Sequence, residues 1–166
     1  MRFADRVSGL AAASFLLVLS GPAPAVAPEV RDEAKFFSPD AIKRANEQIR
    51  DLSRRQNTDL LVETFPAPPG DQAEKVKAMS REERAKFFAK WAEERAEARV
   101  VRGVCILVCK EPPHVEYYIT PPARGRFSDA DKAKLRNLLV TEFREKRYDD
   151  GLLAAVKFVR EKLAGK

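Results

Sequence analysis

Apolar residues recur at helical spacing along much of the chain, and each such stripe predicts a helix with one buried face. The first helix is predicted to start with Ser38 as its N-cap, and its stripe runs to Leu52. Two helices near the end of the chain are predicted to start at Ser128 and at Asp149 or Asp150. Because each stripe needs a partner to cover it, the pattern indicates one shared hydrophobic core.

Two further helix starts are predicted between these segments. Asp71 with Glu74 and Ser80 with Glu83 each have the spacing of a capping box, in which two side chains bond the backbone reciprocally. An aromatic stripe that includes Trp91 follows Ser80 at the spacing of one helix face. We interpret this stripe as core, since aromatic side chains at such positions usually pack inside a domain.

Three short apolar runs favour strands. Residues 59–65 form one run that a proline-rich turn closes, and residues 103–109 are apolar on both faces, as in a sheet covered on both sides. Residues 115–120 alternate after a short turn and complete an antiparallel hairpin. Glu116 and Thr120 indicate that one face of this last strand is more exposed to solvent, which places the strand near the sheet edge.

The order helix, strand, helix, hairpin, helix, helix predicts an α/β fold. We expect a three-layer α/β/α sandwich, in which helices cover both faces of a small mixed sheet of three to four strands. The chain length suits a single domain, predicted over residues 38–166, with residues 26–37 as a short segment before it.

The first 25 residues have the layout of a secretory signal peptide. Two arginines precede an apolar run over residues 10–19, and small residues and prolines follow. Cleavage is expected after Ala25, with a cut after Ala27 as the alternative. The run is about half of the ~20 residues that span a bilayer, so a permanent transmembrane helix is the weaker interpretation. We therefore expect an exported protein, periplasmic or extracellular, with membrane association left open.

The net charge is positive, with 31 lysines and arginines against 25 aspartates and glutamates. Such a balance favours anionic partners, namely phosphate groups, acidic lipids or acidic protein surfaces. Nucleic acid is not an expected partner, because the chain has an export signal and no recognisable reader fold.

The run over residues 103–109 also holds both cysteines. Cys105 and Cys109 would lie ~13 Å apart along a strand, whereas a disulfide needs Cα atoms within ~7 Å. A zinc site would need carboxylates besides these thiols and His114, the sole histidine, so we interpret both thiols as buried in the sheet. His114 is expected in an exposed turn. Neither a nucleophile elbow nor a glycine-rich phosphate loop is present in the sequence.

In order and spacing, several short motifs resemble the TPM domain family, over roughly residues 29–163. They are Val30 with Asp32, Trp91, the Gly-Val-x-Ile-Leu run at 103–107 and the Tyr-Asp-x-Gly-Leu run at 148–152. The resemblance implies an α/β/α sandwich in an exported protein that is often membrane-associated or acts on a membrane complex.

The resemblance also implies two activities, calcium binding through acidic residues and acid phosphatase activity. Calcium or magnesium would be the ion, although the residues by themselves establish no cofactor. The candidate metal ligands are Asp32, Asp129 and Asp131, with Asp149 or Asp150 as further candidates in a phosphatase. Arg102 stands where the family typically has Asn or Asp before the Gly-Val strand, and an arginine repels a cation.

Antiparallel pairing of the hairpin would bring several arginines to one end of the sheet, beside the start of the Ser128 helix. We expect an anion-binding cluster there, whose members are Arg99, Arg102, Arg124 and Arg126, with Arg54 and Arg55 nearby. The alternative is that these arginines are solvated and pair with nearby acids, namely Asp32, Asp129 and Asp131.

The function expected from this sequence is a partner- or ion-binding module that is non-catalytic or weakly catalytic. Its partner would be a protein or membrane-associated complex, or a phosphate-bearing ligand. The alternative function is a metal-assisted acid phosphatase of the TPM type, with the arginines holding the phosphoryl group.

Overall fold

The computed structural model describes residues 29–164, and the predicted signal peptide lies outside this range. In chain order the elements are β1 (Val30–Asp32), α1 (Pro39–Gln56), β2 (Leu60–Phe65), α2 (Ala73–Ala78), α3 (Arg81–Ala98), β3 (Val104–Cys109), β4 (His114–Ile119), α4 (Pro121–Arg124), α5 (Asp129–Arg144) and α6 (Tyr148–Leu163). Within the described range, no helix is both long and apolar enough to cross a bilayer.

The strands form one mixed sheet in the order β1-β2-β3-β4. The first three strands are parallel, and β4 returns antiparallel to β3. Val104 at the start of β3 therefore faces Leu60 at the start of β2 and Ile119 at the end of β4. We call this the amino end of the sheet, and the opposite end, where Asp32 closes β1, the carboxyl end.

Helices cover both faces of the sheet, which confirms the predicted three-layer α/β/α sandwich. On one face Val62, Val104 and Ile106 pack in a single cluster with the apolar stripes of α1, α5 and α6. On the other face Leu107 and Cys109 pack against Val76 of α2 and the aromatic stripe of α3. The middle strands are therefore buried on both sides, as the apolar pattern of residues 103–109 predicts.

One strand and one short helix were not predicted. β1 lies in the segment 26–37 that the sequence separates from the domain, and it pairs with β2 as an edge strand. Three residues are too few to show an alternating pattern, so β1 forms because β2 offers a free edge. The four-residue helix α4 follows β4 directly and has two prolines in its first turn.

The helix starts test the capping boxes predicted at Asp71 and Ser80 and the N-cap predicted at Ser128. Ser80 caps α3 with Glu83, and Ser128 caps α5 with Asp131, each by reciprocal side-chain and backbone bonds. The capping box predicted at Asp71 is wrong, because Asp71 lies inside a 3-10 turn over Gly70–Gln72 with φ −84° and ψ 22°. The N-cap of α2 is Gln72, one residue later, and it makes no side-chain cap bond.

Candidate functional site

The strand register brings the four predicted anion-binding arginines to the amino end of the sheet. Arg99 and Arg102 precede β3, and Arg124 and Arg126 follow β4. The two connections meet where Thr120 donates backbone and hydroxyl hydrogen bonds of 2.9 and 3.1 Å to the Gly103 carbonyl. The antiparallel hairpin is thus the reason that residues more than 20 positions apart share one end of the sheet.

Two of these arginines contact buried carboxylates. The Arg102 guanidinium lies 3.8 Å from the buried Asp59 carboxylate and donates a 2.8 Å hydrogen bond to Asn57. Arg99 lies 3.7 Å from Glu63, a carboxylate that already accepts two hydrogen bonds from Arg95. Two guanidinium groups therefore share the single charge of Glu63.

The other two arginines have neutral acceptors among the residues that the structure describes. Arg124 donates a 3.2 Å hydrogen bond to the Ile119 carbonyl and lies over the Tyr118 ring, 5.8 Å from its centroid. Arg126 donates to the Leu163 carbonyl at the end of α6. Within residues 29–164 neither guanidinium forms a salt bridge with a carboxylate, although the Tyr118 hydroxyl lies between Arg124 and Glu93 and interacts with both.

The alternative interpretation, in which these arginines pair with Asp32, Asp129 and Asp131, is not what the structure shows. Arg55 pairs instead with Asp51, one turn earlier in α1, at 2.7 Å. Arg54 and Arg55 occupy the last turn of α1, which runs to the same end of the sheet, and Asp51 compensates the charge of Arg55.

The first candidate metal ligand, Asp32, organises the chain after β1. Its carboxylate accepts hydrogen bonds from the amides of Phe36 at 3.0 Å and Phe37 at 2.8 Å, and from the Thr64 hydroxyl at 2.5 Å. These bonds hold the turn between β1 and α1 at the carboxyl end of the sheet. The role of Asp32 that the contacts support is structural.

Asp129 and Asp131 lie at the opposite end, in the first turn of α5. Asp131 bonds Lys162 of α6 at 2.5 Å, and this bond together with those from Ser128 lowers the pKa of Asp131 to about 2. The pKa of Asp129 is lowered by its 2.8 Å bond to Lys132. Both carboxylates are therefore ionised and already paired with lysines.

The three candidate ligands consequently do not form one metal site, because the sheet separates Asp32 from the other two. Asp149 accepts the Ser38 amide at 2.9 Å and so joins the starts of α1 and α6. Within residues 29–164, no three histidine, cysteine or carboxylate side chains are grouped so that they could hold one ion. Calcium and magnesium bind through several oxygen ligands, and the predicted donors do not fit that requirement.

An open groove that the sequence analysis did not identify lies at the amino end of the sheet. One wall is the end of α3 with residues 100–102 of the following loop, and the other comprises Tyr118, Thr120, Pro121 and Pro122. Its volume is about 350 Å³. The signal that could have revealed it is Val100, a valine directly after a helix end, where glycine is usual.

His114 and Glu116 differ from their expected positions. His114 is the first residue of β4, and its ring stacks on Phe88 of α3 with centroids 3.9 Å apart. Glu116 is only 6% exposed. Burial opposes its ionisation, but His114 and Arg136 together with the Tyr117 amide outweigh burial and lower the pKa of Glu116. β4 is an edge strand as predicted, although the Glu116 carboxylate on it is buried beneath these partners.

A family model described as the TPM domain matches residues 30–162, about four-fifths of the chain. The chain belongs to the TPM domain family. The match begins at β1 and ends in the last turn of α6, so the TPM domain comprises the whole sheet and both helical layers.

Solved structures from three bacteria share this fold. The N-terminal domain of a protein from P. gingivalis has a TM-score of 0.64 at 19% identity, with 82% of each chain covered. The N-terminal domain of the cg2496 protein from Corynebacterium glutamicum has a TM-score of 0.58 at 12% identity, covering 89% of this chain and 86% of that one. The BA42 protein from Bizionia argentinensis has a TM-score of 0.56 at 17% identity, covering 78% and 83%.

At such low identities these likenesses establish the fold alone. No curated protein matches the chain by sequence.

Proposed function

We propose that this TPM domain is a binding module of an exported protein, which holds an anionic group of a partner protein at the amino end of its sheet. The observation that carries the proposal is that Arg124 and Arg126 bond neutral acceptors and form no salt bridge with a carboxylate within residues 29–164. Export is proposed from the N-terminal sequence alone.

The charge at this end is held in place by the fold. Arg124 is fixed by a carbonyl and by the Tyr118 ring, and Arg102 by Asn57 and Asp59. Guanidinium groups fixed in this way lose less conformational entropy when an anion binds, and they match the planar geometry of carboxylates and phosphates.

Binding by this end ranks above phosphomonoester hydrolysis as the proposed function. The carboxylates that a metal-assisted phosphatase would use already hold backbone amides or lysines, and they lie at two ends of the sheet. The two functions are separable by assay. A phosphatase releases phosphate from p-nitrophenyl phosphate when magnesium or calcium is added, whereas the proposed module binds an anion without turnover.

The binding test uses the chain from Val26 onward, with hexaglutamate and inorganic phosphate as separate probes in amide-resolved NMR titrations. We expect shifts to concentrate around residues 99–103 and 118–126, and to fade as ionic strength rises to about 0.15 M. Arg124→Gln combined with Arg126→Gln should weaken hexaglutamate binding about fivefold or more, since two surface charges are lost.

The matched control is Lys86→Gln combined with Lys90→Gln, which removes two positive charges from side chains of α3 that are 76% and 77% exposed. This control should bind as the unmodified chain does. Equal weakening in both double variants would mean that the net charge acts without a defined site, and the proposal would then be withdrawn. Thermal unfolding checks that each variant is folded.

A further inference from the structure

Val100 stands at a position where the backbone favours glycine. α3 ends in a Schellman motif. The Val100 amide donates a hydrogen bond to the backbone carbonyl of Glu97, and the Val101 amide donates one to the backbone carbonyl of Ala96, both at 2.9 Å. This motif places the residue after the C-cap in the left-handed region, and Val100 accordingly has φ 53°.

A β-branched side chain is a poor choice for this conformation, because its two γ-carbons crowd the backbone. The other non-glycine residues with positive φ in the described range are Lys35, Asn57 and Lys146, none of which is β-branched. Val100 is also 77% exposed, and it is the one exposed large hydrophobic residue within residues 29–164. Its side chain therefore gains neither a relaxed backbone nor burial, so the fold alone does not account for it.

The exposed valine borders the groove at the amino end of the sheet. The opposite wall presents Pro121, Pro122 and the Tyr118 ring, so apolar surfaces face each other across the opening. A volume of about 350 Å³ is at the lower end of the roughly 300–1,000 Å³ range of ligand pockets. The groove is thus suited to part of a peptide segment, with room for a buried side chain.

Charges at the rim specify what kind of segment fits. Arg102 lines the α3 side, with the buried Asp59 carboxylate 3.8 Å from its guanidinium, and Arg124 lies over the ring of Tyr118 on the other side. Glu97 is the one carboxylate that lines the groove within the described residues, and Arg99 and Arg126 lie close by in sequence. The surroundings favour an acidic segment, with Glu97 as a local opposing charge.

We infer that this groove docks a partner through an acidic, extended segment that inserts one apolar side chain between Val100 and the two prolines. The inference rests on the proposed function and adds the apolar part of the recognition. Val100 supplies contact surface to the partner, which gives a strained and exposed valine a role that the isolated domain lacks.

The test compares three capped five-residue peptides by NMR titration against the chain from Val26. One has leucine between two pairs of glutamates, the second has alanine instead of leucine, and the third has leucine between two pairs of lysines. We expect the leucine–glutamate peptide to bind about tenfold tighter than the alanine peptide, because an open groove buries part of the additional carbon atoms. The lysine peptide should not bind there.

Val100→Asn separates binding from folding. Asparagine tolerates positive φ, so the variant should unfold about 2–5 °C higher than the unmodified chain. The affinity of the Val100→Asn variant for the leucine–glutamate peptide should be no higher than its affinity for the alanine peptide. Lys146→Asn, at the corresponding position after α5, is the matched control and should leave peptide binding unchanged. Glu97→Gln should strengthen binding of both acidic peptides.

The two proposals fail in different ways. If both acidic peptides bind equally and Val100→Asn changes nothing, the apolar docking is wrong, while a dependence on Arg124 would leave the anion-binding function intact. If no acidic peptide binds, both proposals are wrong. Concentration-dependent self-association in sedimentation that Val100→Asn abolishes would identify a second copy as the occupant and overturn the acidic segment.

Discussion

Cys105 and Cys109 lie on the face of β3 that α2 and α3 cover, and both are fully buried and free. Burial raises the pKa of Cys105 to about 12 and that of Cys109 to about 11. Since only the thiolate reacts as a nucleophile, neither side chain should react readily near neutral pH.

We predict that the native protein shows no fast-reacting thiol with Ellman's reagent at a pH of about 8, and two after unfolding in guanidinium, the number of cysteines in the chain. A fast-reacting thiol in the native protein would contradict the buried environment of β3. Cys105→Ala should leave a single thiol that is equally protected, which identifies the contribution of Cys109.

Gly103 allows β2 and the start of β3 to approach closely. A Cβ atom at this position would lie 1.9 Å from the carbonyl oxygen of Asp59, a backbone atom that cannot rotate away. The fold therefore requires glycine at the first position of the Gly-Val-x-Ile-Leu motif for a steric reason.

Gly103→Ala should lower the free energy of unfolding by about 3 kcal/mol or more, measured by urea denaturation, because a backbone clash forces the strands apart. Gly125→Ala is the matched control: no atom lies within 4 Å of its Cβ position and its φ is −65°. The control should be neutral or slightly stabilising, since alanine reduces the entropy of the unfolded chain. Equal effects of the two substitutions would refute the steric explanation.

At the scale of elements, an ion pair joins β2 to α3 through the core. Glu63, only 1% exposed, accepts hydrogen bonds of 2.5 and 2.6 Å from Arg95, and this pairing raises the pKa of Arg95. Removing one partner of a buried pair leaves an uncompensated charge, which costs more than the pair contributes.

Arg95→Met should therefore destabilise the domain by about 3 kcal/mol, because the Glu63 carboxylate would keep only the more distant Arg99. Combining it with Glu63→Leu should recover most of that loss, since no buried charge remains. Urea denaturation of the single and double variants measures both effects, with Lys90→Met on the exposed face of α3 as the control. A double variant as unstable as Arg95→Met would contradict this account.

The whole molecule depends on pH through carboxylates whose pKa values are lowered by folding. Glu116 is the most buried of these groups, and its partners His114 and Arg136 belong to β4 and α5. A lowered pKa in the folded state means that the stabilisation is present above the ordinary carboxyl pKa and is lost as pH falls through the lowered value.

We predict that Arg136→Gln lowers the free energy of unfolding by about 1–2 kcal/mol near neutral pH, because a hydrogen bond between charged groups is lost. The difference from the unmodified chain should shrink as pH falls below the ordinary carboxyl pKa and vanish once Glu116 is protonated. Urea denaturation across this pH range measures it, with Arg144→Gln on the same helix as the control. A difference that stays constant with pH would mean that Arg136 contributes by packing alone.

The sequence determined the longer helices and the buried middle of the sheet. The apolar stripes of α1, α5 and α6, the capping box at Ser80 and the N-cap at Ser128 depend on residues three or four positions apart, so local spacing contains the information. The sequence likewise predicted that β3 is buried on both faces, and it contained the short motifs that resemble the TPM domain.

Tertiary structure decided where charged and polar side chains find their partners. Arg124 and Arg126 donate hydrogen bonds to backbone carbonyls, Asp131 pairs with Lys162, and His114 stacks on Phe88. Each of these contacts depends on which elements become neighbours. The edge strand β1 and the groove beside Val100 likewise depend on which elements become neighbours. A long side chain can reach many partners from one position, so its contact is fixed only when sheet register and helix packing place those partners in space.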